Sequence, residues 1–232
     1  MGKKINPKIF RISVTKKWPS KWFATGRNYA KKVEQDVCTR RFILKELMEA
    51  GVDRVDIERN TDKINVNIYT AKPGLIIGRG GTGVDDLKKK IHSKFLKNYK
   101  PSNINLDIHE FDRPNLSAQI IVQSMTVDIE KRMPFRRVMK QAISRVERAG
   151  ALGVKVKVSG RLNGAEIARS EMLASGKIPL HTLRADIDYA RGSVRTTYGA
   201  VGIKIWIYKG DRFEESSEKK GEVLGKKTGP RK

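Results

Sequence analysis

The run Gly78-Arg79-Gly80-Gly81-Thr82-Gly83 places four glycines and one cation within six residues. Such a loop can bring backbone N–H groups close to phosphate, because no Cβ stands in the way. Two templates fit it. In the dinucleotide pattern G-x-G-x-x-G, a strand runs straight through a tight turn into a helix whose N-terminus faces a pyrophosphate. In the Gly-x-x-Gly pattern, the loop clamps the backbone of RNA or single-stranded DNA between two helices. Context separates them. Pro73-Gly74-Leu75-Ile76-Ile77 intervenes before the loop and reads as a short helix end. No acidic residue closes a second strand about twenty residues on, as ribose binding requires, and no Lys-Ser or Lys-Thr follows the last glycine as in a Walker loop. Arg79 offers a cation to a phosphate backbone. The RNA reading is favoured, and a glycine-rich turn with no ligand stays open beside it.

Two basic runs carry the same kind of chemistry. Lys131, Arg132, Arg136, Arg137 and Lys140 cluster around Pro134, and Arg145 and Arg148 follow, with no acidic residue between Glu130 and Glu147. Spacings of three and four place Arg136, Arg137 and Lys140 near one helical face. A charge run is ordinarily a solvated face, but a solvated helix usually carries i,i+4 Glu–Lys pairs, which are missing here. The second run is N-terminal. Lys3, Lys4, Lys8, Arg11, Lys16, Lys17, Lys21, Arg27, Lys31 and Lys32 precede the first acidic residue, Glu34, with Trp18, Trp22, Phe23 and Tyr29 among them. Basic residues spaced by aromatics can meet phosphates and stack on bases. We expect the aromatics to dock on the protein itself and the charges to meet phosphate.

The elements that would position these groups read as an α+β chain. Val33, Val37, Leu44, Leu47 and Met48 suggest a helix from about Asn28 to Ala50, stopped by Gly51. Strand-like runs follow at Val55–Ile57 and at Ile64–Tyr69, where the alternation implies one buried face. After the loop, Val84, Leu87, Ile91 and Phe95 suggest a helix, and Ile104–His109 a third strand. Beyond Arg113-Pro114 the spacing predicts helices over about Leu116–Arg132 and Phe135–Ala149. Half-buried strands follow around Val154–Val158, Leu183–Asp188 and Ile203–Tyr208. The expected divisions are a basic arm with the start of the first helix at 1–37, a first domain at 38–112, a second α+β domain at 113–210 with helices packed on a sheet, and a disordered charged tail at 211–232.

Composition agrees with a polyanionic partner. The chain has 232 residues and a formal charge of +24. Self-repulsion of that size is relieved when a polyanion neutralises it. Cys38 is the lone cysteine and His92, His109 and His181 are scattered, so neither a disulfide framework nor a metal site is expected, and no cofactor is implied. No apolar run approaches the ~20 residues of a membrane span. Asn6 stands where a myristoylation signal needs Ser or Thr. We expect a cytoplasmic protein with no membrane partner.

Longer motifs carry a family resemblance. Gly2-Lys3-Lys4-Ile5-Asn6-Pro7, Ala71–Gly81, Phe135-Arg136-Arg137-Val138-Met139-Lys140, Ser159–Arg169 and Pro179–Tyr189 together resemble the bacterial-type third protein family of the small ribosomal subunit, over essentially the whole chain. Ile91–Pro101 is longer than that family's pattern, and Lys131 and Pro134 depart from it. The resemblance implies a type-two K-homology (KH) domain followed by a C-terminal α+β domain, and a structural, non-enzymatic role in the small-subunit head. It implies binding to small-subunit ribosomal RNA through Lys3, Lys4, Lys8, Arg11, Lys16, Lys17, Arg161, Arg169 and Arg184. It implies RNA contact at Gly78, Arg79, Gly80 and Gly81, and messenger RNA at an entry tunnel faced by Arg132, Arg136, Arg137 and Lys140, where messenger structure is opened. It also implies neighbours corresponding to the tenth and fourteenth small-subunit proteins, with no homo-oligomer. A free-standing KH chaperone would leave the C-terminal half unexplained. A nucleotide enzyme would need catalytic carboxylates, and Asp85 and Asp86 read instead as first-turn residues favoured by the helix dipole.

Overall fold

The computed structural model describes residues 4–61, 63–96 and 99–213. Asn6 opens the chain's first turn, α1 (Pro7–Phe10), by accepting the Lys8 N–H at 2.9 Å. A two-residue strand β1 (Ser20–Lys21) leads into α2 (Gly26–Glu46), then β2 (Val52–Arg59) and β3 (Ile64–Thr70). Pro73 starts the five-residue α3 (Pro73–Ile77), where its fixed φ and missing N–H cost nothing. The glycine loop joins α3 to α4 (Thr82–Lys94), and β4 (Ile104–Glu110) closes the first unit. The sheet order is β1-β2-β3-β4, with β2 and β3 antiparallel and β3 and β4 parallel. Ile43, Val55, Ile57, Ile64, Val66, Ile68, Ile76, Leu87, Ile91 and Ile104 form its core.

The second unit begins with α5 (Ala118–Glu130), capped by the Ser117 hydroxyl, and α6 (Phe135–Arg148). Four antiparallel strands follow: β5 (Gly153–Gly160), β6 (Arg169–Gly176), β7 (Ala185–Thr196) and β8 (Gly199–Asp211), ordered β6-β5-β8-β7. The stripe Phe135, Val138, Met139, Ala142 and Val146 on α6 meets Val154, Val156, Val158, Ile203, Ile205 and Ile207 of the sheet. At Gly192 the sheet comes so near α5 that a Cβ would stand 2.5 Å from Val122 Cγ1. The fold is thus α+β, with two cores. They meet where the Gln123 amide donates to the Val52 carbonyl at 3.3 Å and the Ser117 hydroxyl to Asp53.

Three expectations change. The stripe of α2 that faces the sheet is Asp36, Thr39 and Ile43, whereas Val37 and Met48 are exposed. The register shifts because Asp36 is a buried acceptor. Its Oδ1 takes Arg59 Nε and Nη2 at 2.9 and 2.6 Å, and its Oδ2 takes Ser20 Oγ and Trp22 Nε1 at 3.0 and 2.7 Å. The strand β6 was not anticipated. Its sequence RSEMLASG has no β-branched residue, and it forms a sheet edge paired only to β5. Finally, Asp186 and Asp188 do not lie on a solvated face of β7, since both are buried. The N-terminal arm covers them. The expected tail at 211–232 falls outside the described residues from 214 onward, and Asp211 is the last residue of β8.

Candidate RNA-binding surfaces

The glycine loop is a helix–loop–helix joint. The strand β3 has already ended at Thr70, and α3 stands between it and the loop. This removes the geometry a dinucleotide fingerprint needs. Gly78, Gly80 and Gly81 adopt φ of +69°, +63° and +81°, a region that side-chain-bearing residues disfavour. A Cβ on Gly83 would stand 2.5 Å from the Ile76 carbonyl oxygen, so this glycine permits the close crossing of α3 and α4. The Thr82 hydroxyl donates to the Arg79 carbonyl at 3.0 Å and braces the turn. Arg79 is exposed, and it has no ion-pair partner among the described residues. Leu75 and Ile77 flank it as exposed apolar side chains. The result is a backbone able to approach phosphate closely, next to a cation and apolar surface.

The helix α6 presents the second surface. Its buried stripe fixes its rotation, so Arg136, Arg137 and Lys140 project to solvent, and Arg132 is exposed in the turn before it. The three cations are not equivalent. Arg136 Nε and Nη2 donate to Glu171 Oε2 and Oε1 at 3.0 and 3.2 Å. That hydrogen bond and the attraction of Glu171 raise the Arg136 pKa, and the same pairing lowers that of the Glu171 carboxyl. Arg137 and Lys140 have no ion pair among the described residues. Glu171 sits on β6, the strand that the sequence did not reveal, so nothing in the sequence signalled this partner.

The chain matches two family models. One, described as a KH domain, covers residues 39–116, and the other, described as ribosomal protein S3, C-terminal domain, covers residues 125–207. The small ribosomal subunit protein uS3 of Pelotomaculum thermopropionicum is 46% identical over 93% of this chain and 91% of that protein. That of Caldicellulosiruptor bescii is 46% identical over 96% of this chain and 100% of that protein, and that of Caldicellulosiruptor saccharolyticus 48% identical over 91% and 93%. This chain belongs to the uS3 family. A uS3 protein is an RNA-binding, structural component of the small ribosomal subunit and not an enzyme. The KH match begins within α2 and runs past β4, so the loop described above lies inside it.

The remaining basic residues of this uS3-family chain divide by what they touch. Arg11 is wholly buried, which corrects its assignment to RNA. Its Nε donates to the Ala185 carbonyl at 2.7 Å, its Nη1 to Pro7, and its Nη2 to Pro179, Leu180 and Thr182. Burial lowers its pKa, opposed by Asp186. Lys8 Nζ lies 2.7 Å from Asp188 Oδ1, and Lys16 Nζ 2.6 Å from Asp186 Oδ1. These two lysines are therefore engaged by the C-terminal sheet. Burial pushes the Asp188 carboxyl up, but Lys8, Lys209 and the Ala118 N–H outweigh it and hold the group below the ordinary carboxylate value. Arg184 pairs with Asp211 at 3.1 Å, and Arg161 Nε donates to the Ala165 carbonyl at 2.9 Å. Arg169 is exposed, 3.8 Å from Glu171. Lys4 and Lys17 are exposed, and Lys3 lies outside the described residues. Among the described residues, no group of His, Cys, Asp and Glu could hold a metal, and no helix is long and apolar enough to cross a membrane.

Proposed function

We propose that this chain sits in the head of the small ribosomal subunit of the cytoplasmic ribosome, holds small-subunit ribosomal RNA, and lines the entry path of messenger RNA with α6. The observation that carries the messenger reading is the outer face of α6. Residues 131–146 contain no acid, the opposite face of the helix is locked into the core, and Arg137 and Lys140 stand exposed. Cations fixed in register on a rigid helix attract the phosphates of an incoming strand without first losing side-chain-bearing backbone freedom. Contacts available to a single strand but not to a duplex favour the opened form, and this biases a messenger hairpin towards unwinding. Arg136 joins this face when a phosphate replaces Glu171, and Arg132 extends it.

The Gly78–Gly81 loop with Arg79 suits an RNA backbone, and Lys4, Lys17, Arg169 and Arg184, exposed among the described residues, are the basic residues we assign to ribosomal RNA. Neighbours corresponding to the tenth and fourteenth small-subunit proteins complete the setting, in which the chain acts as a single copy. Subunits carrying Arg137→Ala with Lys140→Ala test the messenger role. They should assemble normally and translate structured messengers more slowly than unstructured ones, relative to unaltered subunits. Equal slowing of both would contradict the reading.

A further inference from the structure

The turn between α5 and α6, the turn after β5 and the β7–β8 hairpin enclose a cleft of about 840 Å³. Sites for small ligands fall in the range of roughly 300–1,000 Å³. Arg132, Arg161 and Arg195 line it with Tyr198 and one carboxylate, Glu130. The helix α6 starts in its wall at Phe135 without a side-chain cap, so the positive end of the helix dipole adds to the arginines. Arg195 is exposed at the tip of the hairpin, and neither it nor Arg132 has an ion pair among the described residues.

The aromatic ring is braced from within. Arg161 holds its guanidinium 5.7 Å from the Tyr198 ring centroid. Gly164 comes so close that a Cβ there would stand 3.2 Å from Tyr198 Cε2 and Cζ. Tyr198 nevertheless remains 56% exposed. Two of the three non-glycine residues with left-handed backbone among the described residues, Arg132 and Asn163, belong to this lining, at φ of +61° and +54°. Asparagine adopts this region readily, whereas for Arg132 it is uncommon and marks a turn held by its surroundings.

An exposed ring next to guanidinium groups matches one nucleotide, because a base can stack on tyrosine while its phosphate meets arginine. A duplex keeps its base faces stacked inside and cannot use the ring. We infer that this cleft takes one unstacked nucleotide of single-stranded RNA, with the base on Tyr198 and the phosphate at Arg132 and Arg195. The inference rests on the RNA-binding reading of the chain but not on the messenger role of Arg137 and Lys140.

The test uses the full chain with a short single-stranded RNA carrying 2-aminopurine, whose fluorescence falls on stacking, and with the matching duplex. Tyr198→Ala should weaken single-strand binding by about 5- to 150-fold and leave duplex binding unchanged, while Tyr198→Phe keeps the ring and the binding. Arg195→Ala should lower the slope of log affinity against log salt by about 0.7. Single-strand binding by Tyr198→Ala equal to that of the unaltered chain, or an equal loss on duplex, overturns the inference. Should Tyr198→Ala fail to fold, photocrosslinking of the unaltered chain to a 5-iodouridine RNA decides. A crosslink at Tyr198 supports the cleft, and crosslinks confined to other residues overturn it. Loss of the messenger effect of Arg137 and Lys140 with this crosslink intact would remove the messenger reading alone.

Discussion

The N-terminal arm and α6 look alike in sequence and behave oppositely in the folded chain. Each is a basic run with no acid of its own, ending at Glu34 and Glu147 respectively. In the arm, Arg11, Lys8 and Lys16 turn inward onto carbonyls and carboxylates of the C-terminal domain. On α6, Arg137 and Lys140 point outward from a helix anchored by its other face. The difference lies in the partners, not in the runs. The acceptors of Arg11 in the C-terminal domain lie 168 to 174 residues along the chain, so local absence of acid says nothing about whether a cation is free. Arg11, Lys8 and Lys16 fasten the arm, whereas Arg137 and Lys140 on α6 stand exposed without an ion pair among the described residues.

Loss of Arg11 should have the largest effect. Arg11→Ala strips a donor from five buried or half-buried carbonyls and should cost on the order of 3–5 kcal/mol in urea unfolding. Lys140→Ala should stay within about 0.5 kcal/mol. Equal, small effects would mean that the arm is not fastened.

Acid gives the next effect. Asp188 is 4% exposed, and its carboxyl is held below its ordinary value. Its stabilisation is therefore complete above the unfolded pKa of about 3.9 and is lost as pH falls from there through the lower folded value. Asp188→Asn should destabilise the protein by roughly 1–3 kcal/mol at neutral pH and flatten this acid loss. An unchanged pH profile would contradict the pairing with Lys8.

The smallest effect sharpens the α6 side. Glu171→Gln releases Arg136 from its ion pair, so RNA affinity should rise and the single-strand salt slope should steepen by up to about 0.7. An unaltered slope would mean that Arg136 contacts no phosphate.

Much of this was legible beforehand, for physical reasons. The stripe at 135, 138, 139, 142 and 146 states the period of α6 directly, and the alternation at 64–69 and 203–208 states two strands. Glycines at 78, 80, 81 and 83 announced a loop whose backbone must come close to something, and Pro73 announced the turn of helix before it. Other features carried no such signal. Strand β6 forms because β5 offers it an edge, and the inward register of α2 follows from Asp36 meeting Arg59 and Trp22. The burial of Asp186 and Asp188 depends on an arm that arrives from the far end of the chain. Long-range partners of charged groups leave no periodicity to read. For the same reason Glu171 went unnoticed beside Arg136, and Tyr198 beside Arg161.

Acylation of lysine amines, mapped residue by residue in the free chain and in its complex with RNA, tests the contrast most directly. Lys8 and Lys16 should react slowly in the free chain and not change when RNA binds, whereas Lys140 should react readily when free and be protected in the complex. Readily reacting Lys8 and Lys16 that become protected only with RNA, together with an unprotected Lys140, would contradict that contrast.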